Sequence, residues 1–179
     1  MSPSSRLSKG IRTDSSETAL LRVHNDILRS FDNGVRVILA LLDLSAAFDT
    51  VNHELLLSRL SSRYGLCGSV LEWFTSYFTN RTQFVVINGT SSTIRHLGVG
   101  MPQGSVLGPL LYVLYTSPVA DVICRHNLYF HFYADDSQLF LSFKGADRLF
   151  ESKLQLEACI DDICQWMAFN EMKLRPRPH

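Results

Sequence analysis

Apolar residues recur along this chain with two periods, and each period predicts a different element. Leu20, Leu21, Val23 and Ile27 recur at helical spacing near the start of the chain. The capping pattern Asp14-Ser15-Ser16-Glu17 opens that helix, and Asp32-Asn33-Gly34 closes it. Residues 35–42 are almost continuously apolar, broken only by Arg36, and this short Val/Ile/Leu run predicts a buried strand. A helix is expected over 55–64, ending near Gly65. A second carries Leu71, Trp73, Phe74, Tyr77 and Phe78, whose aromatic rings are expected in the core. Residues 83–88 and 93–97 read as a strand pair joined at Asn88-Gly89, a strong hairpin signal. The run 110–123 returns to helical spacing, and the aromatic runs 128–133 and 139–143 predict two strands. A last helix is expected over 147–167, with Leu149, Leu154, Leu156, Ile160 and Ile163 mostly inward.

Carboxylates punctuate the strands. Asp135 and Asp136 form an acidic corner after Tyr133. Two adjacent anions repel, so a counter-charge is expected, and hard carboxylate oxygens are what Mg²⁺ selects. Aspartate also favours turns through its own hydrogen bonding, so a solvated corner competes with this reading. Asp43 ends the first predicted strand, where open sheets place their chemistry. A helix N-cap would also put an aspartate there. Two such strands side by side would give a two-metal cluster of the kind used by polymerases and nucleases. Between the acids, residues 98–109 hold four glycines and two prolines, which makes a loop. It lacks the Gly-Lys-Ser/Thr ending of a P-loop, so a nucleoside-triphosphatase reading fails.

Three segments together resemble the reverse transcriptases of non-LTR, LINE-type and jockey-like retrotransposons. They are Asp43-Leu-Ser-Ala-Ala-Phe-Asp49, Gly100-Met-Pro-Gln-Gly-Ser-Val-Leu-Gly-Pro109 and Tyr133-Ala-Asp-Asp136. They look like that family's motifs A, B and C, in its order, and the resemblance covers about residues 16–174. It implies an α+β fold: a palm-like antiparallel sheet packed on helices, with partial fingers and no thumb. It also implies RNA-templated DNA synthesis by two-metal nucleotidyl transfer to a primer 3′-hydroxyl. Asp43, Asp135 and Asp136 would be catalytic, holding two Mg²⁺ ions (or Mn²⁺) with the backbone carbonyl of Leu44. Phe48 would lie beneath the incoming sugar and collide with a 2′-hydroxyl. Gln103 and Gly104 would contact template and nucleotide, and Tyr133 the primer end. The implied partners are an RNA template, a DNA primer and deoxyribonucleoside triphosphates.

Charge and length temper that expectation. The chain has 179 residues, enough for one domain or part of one, and its 46% hydrophobic content supports a substantial core. Its 17 basic residues balance 17 acidic ones, whereas a nucleic-acid polymerase usually carries a basic track. No apolar run has the length of a membrane span, and Met1 to Lys9 lacks the apolar core of a signal peptide. Cys67, Cys124, Cys159 and Cys164 show neither metal-ligand spacing nor a disulfide framework. Reduced thiols imply an intracellular protein, nuclear if the parent element copies itself at chromosomal targets. None of the six histidines earns a ligand assignment; His53 reads as a helix-start residue.

The ends depart from the family. Residues 1–15 are expected to be disordered, 16–174 to form the palm with partial fingers, and 175–179 to be a divergent tail. Pro178 stands where the family pattern carries a lysine. Two functions remain open on this reading: a polymerase palm with its catalytic residues in place, or a truncated, inactive mobile-element fragment acting at most as a binding module. The sequence is silent on oligomeric state.

Overall fold

The computed structural model describes residues 10–11, 16–45, 48–102, 104–133, 136–145 and 147–174. Of residues 10–11, 16–20, 22–23, 26, 43–45, 133, 136 and 173–174 it describes the backbone alone. In chain order the elements are β1 (Gly10–Ile11), α1 (Ser16–Asp32), β2 (Arg36–Ser45), α2 (His53–Ser62), α3 (Gly68–Phe78), β3 (Thr82–Gln83), β4 (Val86–Ile87), β5 (Thr90–Ser91), β6 (Arg95–His96), α4 (Gly108–Thr116), α5 (Pro118–Arg125), β7 (Tyr129–Tyr133), β8 (Asp136–Phe143), α6 (Leu149–Phe169) and β9 (Lys173–Leu174). They fall into two compact units, Met1–Ser45 with Thr116–His179, and Ala46–Tyr115.

In the first unit the apolar runs become a five-stranded sheet of order β1-β7-β8-β2-β9. The pairing is antiparallel except for β1, which lies parallel to β7. Gly10 and Ile11 lie within the segment expected to be disordered. They pair with His131 and Phe132, because the free edge of β7 offers its backbone groups to any extended segment nearby. Helix α1 ends as its sequence implies. Gly34 takes φ +65°, its N–H bonds Phe31 O at 2.9 Å and the Val35 N–H bonds Ser30 O at 2.8 Å, the paired bonds of a glycine-terminated helix.

Helices α1, α5 and α6 pack on this sheet. The inward stripe of α6 is Ser152, Leu156, Cys159, Ile163 and Met167, spaced four, three, four and four residues apart. Leu149 and Leu154, expected inward, are 47% and 49% exposed because that stripe turns them away from the sheet. At the far end of α5, His126 Nε2 meets Asp162 Oδ2 of α6 at 2.8 Å, and Gln155 donates to His126 O at 2.6 Å. Strand β2 is less covered than its composition suggests. Leu39 and Leu41 are exposed, since alternation gives each strand two faces.

The second unit holds α2, α3, two small ladders and most of α4. Asn52 caps α2, its Oδ1 accepting from Leu55 N at 3.0 Å. Of the α3 aromatics only Phe78 is buried; Trp73 is 51% exposed, because one face of a helix packed mainly against α2 covers few rings. The hairpin turns at Asn88 (φ +49°) and Gly89 (φ +79°), the two left-handed residues of a tight primed turn. Its ladder is interrupted. Two residues (84–85) face three (92–94), and Val85 N bonds the side-chain oxygen of Ser92 at 2.9 Å instead of a carbonyl.

The apolar stretch 110–123 is two helices, not one. Pro118 has no N–H to give the carbonyl four residues before it, Leu114 O, so α4 stops and α5 restarts at the proline. Side chains from α2 and the turn after it supply donors there. Tyr64 Oη donates to Leu114 O at 2.9 Å, and Arg59 Nη1 to Tyr115 O at 2.5 Å. The Arg59 guanidinium lies 4.5 Å from the centroid of the Tyr115 ring. Burial lowers its pKa from the ordinary arginine value.

Candidate active site

The register of the central strands decides which acidic positions meet. Strands β2 and β8 pair over eight positions, from Arg36 with Phe143 to Asp43 with Asp136. On the other side of β8, Tyr133 of β7 pairs with Asp136. Positions 133, 136 and 43 thus form one row across three adjacent strands. Directly paired residues of antiparallel strands have Cα atoms about 4.5–5.5 Å apart. By alternation this row shares the parity of Leu39 and Leu41, which are 39% and 48% exposed.

Several residues singled out from the sequence fall on this row. The chain positions of Asp43, Tyr133 and Asp136 are brought together, and Leu44 follows as the next residue of β2, paired with Leu174 of β9. Asp136 is the first residue of β8, paired with Tyr133, and not part of the corner. Asp135 and Gln103 lie outside the described residues, as do the side chains of Asp43, Leu44, Tyr133 and Asp136. Among the described residues no group of three His, Cys, Asp or Glu side chains could hold a metal. The residue types on the row are nonetheless hard oxygen donors suited to a divalent cation. Two positions along β8 from Asp136, Gln138 Oε1 is a buried acceptor with no partner among the described atoms.

The glycine-rich loop and the segment after Asp43 meet within the second unit. Phe48 is half-buried and stacks on Tyr112 of α4, with centroids 4.8 Å apart and planes at 29°. Its carbonyl accepts from Met101 N at 2.7 Å, and Val51 O accepts from Gly100 N at 2.8 Å. His53, 6% exposed and packed against Phe78 at 4.6 Å, completes the clasp, its Nε2 2.7 Å from Gly100 O. Gly100 sits at φ +90°, and Gly104 at φ +76°. Ser105 Oγ is 2.8 Å from Tyr77 Oη of α3 and accepts from Leu107 N at 3.3 Å. Sequence reasoning gave His53 only the start of a helix and gave Tyr77 only a place in the core. Their spacings to Gly100 and Ser105, 47 and 28 residues, carry no local signal.

A family model described as reverse transcriptase (RNA-dependent DNA polymerase) matches residues 5–177. The chain belongs to the reverse transcriptase family. Among curated reverse transcriptases, it is 31% identical over 153 residues to the RNA-directed DNA polymerase from mobile element jockey of Drosophila melanogaster, covering 82% of this chain and 16% of that protein. It is 29% identical over 171 residues to the probable RNA-directed DNA polymerase from transposon BS of the same species, covering 87% and 17%. The chain therefore spans about one sixth of the length of these curated relatives. Its fold is that of a solved apo telomerase from Candida tropicalis truncated from its C-terminal domain, with TM-score 0.63 at 13% identity, over 94% of this chain and 36% of that one. A partial palm-like α+β fold, with an antiparallel sheet packed on helices, is thereby shown.

Proposed function

We propose that this chain is the nucleotidyl-transfer segment of an RNA-templated DNA polymerase, extending a primer 3′-hydroxyl with deoxyribonucleoside triphosphates. The observation that carries this reading is the pairing of Asp43 with Asp136 across β2 and β8. Like charges directly opposite one another destabilise a sheet unless something neutralises them. Asp43, Asp135, Asp136 and the carbonyl of Leu44 are the groups that would hold two Mg²⁺ ions, or Mn²⁺. Bound there, such ions would lower the pKa of the attacking hydroxyl and neutralise charge on the triphosphate and leaving pyrophosphate.

The remaining residues orient the substrates. Phe48, held against Tyr112, is the block to a 2′-hydroxyl. Gly104, whose left-handed backbone meets no described atom within 4 Å on its Cβ side, admits the template and nucleotide at close range. Gln103 supplies an amide that both donates and accepts hydrogen bonds there. Tyr133 borders the primer end.

A second reading, an inert module that binds without catalysis, is favoured by the equal numbers of acidic and basic residues. Primer extension on the folded chain with Mg²⁺ or Mn²⁺ separates the two. The polymerase reading expects product from the natural sequence, and none from Asp43→Asn, Asp135→Asn or Asp136→Asn with unchanged circular dichroism. Polymerisation retained in these variants overturns the assignment, and no product from the natural sequence supports the inert module.

A further inference from the structure

The sequence holds two Asn-Gly pairs, Asn33-Gly34 and Asn88-Gly89. In such a pair the glycine nitrogen can attack the asparagine side-chain amide, because glycine puts no side chain in the path. Asparagine is a thermolabile residue for this kind of reason. Both pairs are exposed, yet they are held very differently.

The first pair is tied down. Asn33 Nδ2 donates to Arg29 O at 2.6 Å, and the Asn33 N–H to Ser30 O at 3.2 Å. The attacking nitrogen itself, Gly34 N, donates to Phe31 O at 2.9 Å. Val35 N then bonds Ser30 O at 2.8 Å, and Ser30 is buried. Freeing the nitrogen and the amide together means unravelling the end of α1 from a buried anchor.

The second pair has no such ties. Neither Asn88 nor Gly89 hydrogen-bonds any described residue. Their turn is closed by two residue pairs, Val86 with Ser91 and Ile87 with Thr90, in a ladder of two strands only. Residues 84–94 are all exposed. A two-stranded hairpin of this kind is marginal in water. A primed turn, with ψ about +30° at its first central residue, sets Gly89 N opposite the Asn88 Cβ across the Cα–C bond. Attack therefore waits for the turn to open. Opening here breaks two pairs and uncovers nothing buried.

We propose that Asn88 is a site of spontaneous modification, deamidating through attack by Gly89 N on Asn88 Cγ, while Asn33 is protected. The Gly89 N–Cγ bond forms, the Cγ–Nδ2 bond breaks, and the Gly89 N proton passes through solvent to the departing nitrogen, which leaves as ammonia. Water then opens the cyclic imide at either carbonyl, giving aspartate or isoaspartate. A carboxylate replaces a neutral amide, which moves the formal net charge from zero to one negative unit. Isoaspartate also routes the main chain through the side chain and lengthens a turn whose two residues set the register of Ile87 with Thr90. The site is independent of the polymerase reading.

The full chain is incubated in mildly alkaline buffer, folded or unfolded in urea, and peptide-mapped with fragmentation that separates isoaspartate from aspartate. In urea the two pairs convert at similar rates. In the folded chain Asn88 converts within about threefold of its urea rate, as a marginal hairpin requires. Asn33 slows by at least about tenfold, the effect of two or more hydrogen bonds. The Asn88→Gln chain loses most of the acidic species resolved by ion exchange. In the isoaspartate form, amides of 84–94 exchange faster than in the unmodified chain. Folded Asn88 slowed as much as Asn33, aspartate formed without isoaspartate, or an undiminished acidic species in Asn88→Gln overturns the proposal. Equal exchange in both forms overturns the consequence for the ladder.

Discussion

Replacing Gly100 by alanine puts a methyl group 3.1 Å from Asp49 O, 3.4 Å from Asp49 Cα and 3.5 Å from Asp49 C. These are backbone atoms, so no side-chain end can swing aside. The strand around them is also pinned by Gly100 N to Val51 O at 2.8 Å, Met101 N to Phe48 O at 2.7 Å and His53 Nε2 to Gly100 O at 2.7 Å. An L-residue with φ near +90° costs about 1–2 kcal/mol of local strain. Weakening one or two of those hydrogen bonds adds about 1 kcal/mol each. Stiffening the unfolded chain returns about 0.4–1 kcal/mol, leaving a net loss of roughly 2–3 kcal/mol. At about 2–4 °C per kcal/mol for a chain of this size, Tm falls by about 5–10 °C. Gly104→Ala has the strain, at φ +76°, but meets no described atom within 4 Å. Its loss is about 1 kcal/mol, or 2–4 °C. Thermal melts followed by circular dichroism measure both. On the polymerase reading, which places the substrates at Gly104, primer extension should show the opposite order of severity per degree lost. Equal melting shifts, or a smaller one for Gly100→Ala, would refute the close-approach reasoning.

Three further outcomes are expected. Phe48→Val should raise incorporation of ribonucleotides relative to deoxyribonucleotides in a competition assay, with some loss of stability from the broken stack on Tyr112; an unchanged ratio sinks the steric block. Tyr64→Phe removes the donor to Leu114 O and should lower stability by about 1 kcal/mol in urea titration; no change would show that the carbonyl is satisfied without it. Burial, and then the charge of Asp162, push the Cys159 thiol from its ordinary 9.0 up to about 11. Below pH 9 the thiol is neutral in both states. Between about pH 9 and 11 the unfolded chain sheds its proton while the folded one keeps it, so stability falls across that window. Cys159→Ala should flatten this alkaline fall, and an unaltered profile would discharge the thiol as its cause.

Periodicity made the elements legible, and it failed where burial depends on a neighbour the pattern does not name. The run 35–42 is a strand as expected and continues to Ser45, yet Leu39 and Leu41 are exposed because one face of the sheet lacks a full cover. The α3 ring at position 78 is buried and the one at 73 is not, although both are aromatic. Pro118 could have divided the stretch 110–123 on sequence alone, since a missing N–H is a local fact. The candidate site was readable as residue types and only partly as a place. Asp43 and Asp136 announced themselves by standing at strand ends. Their pairing needed the register of two strands more than ninety residues apart in sequence. His53 was overlooked because its partner is a backbone oxygen, which leaves no trace in side-chain pattern.

The eight-position ladder between β2 and β8 has a genetic corollary. Asp43 and Asp136 terminate it, so every pair from Arg36 with Phe143 inward counts the residues to the acids. An in-frame deletion or insertion of a single codon within 37–42 or 137–142 would shift one aspartate out of step with the other and, by the two-residue alternation, turn it to the opposite surface. Point substitutions in these strands can be absorbed by repacking, whereas a length change must be absorbed by a bulge or it shifts the register. On the polymerase reading, such a change would abolish nucleotide addition while leaving every acidic residue of the sequence in place, since neither window contains one.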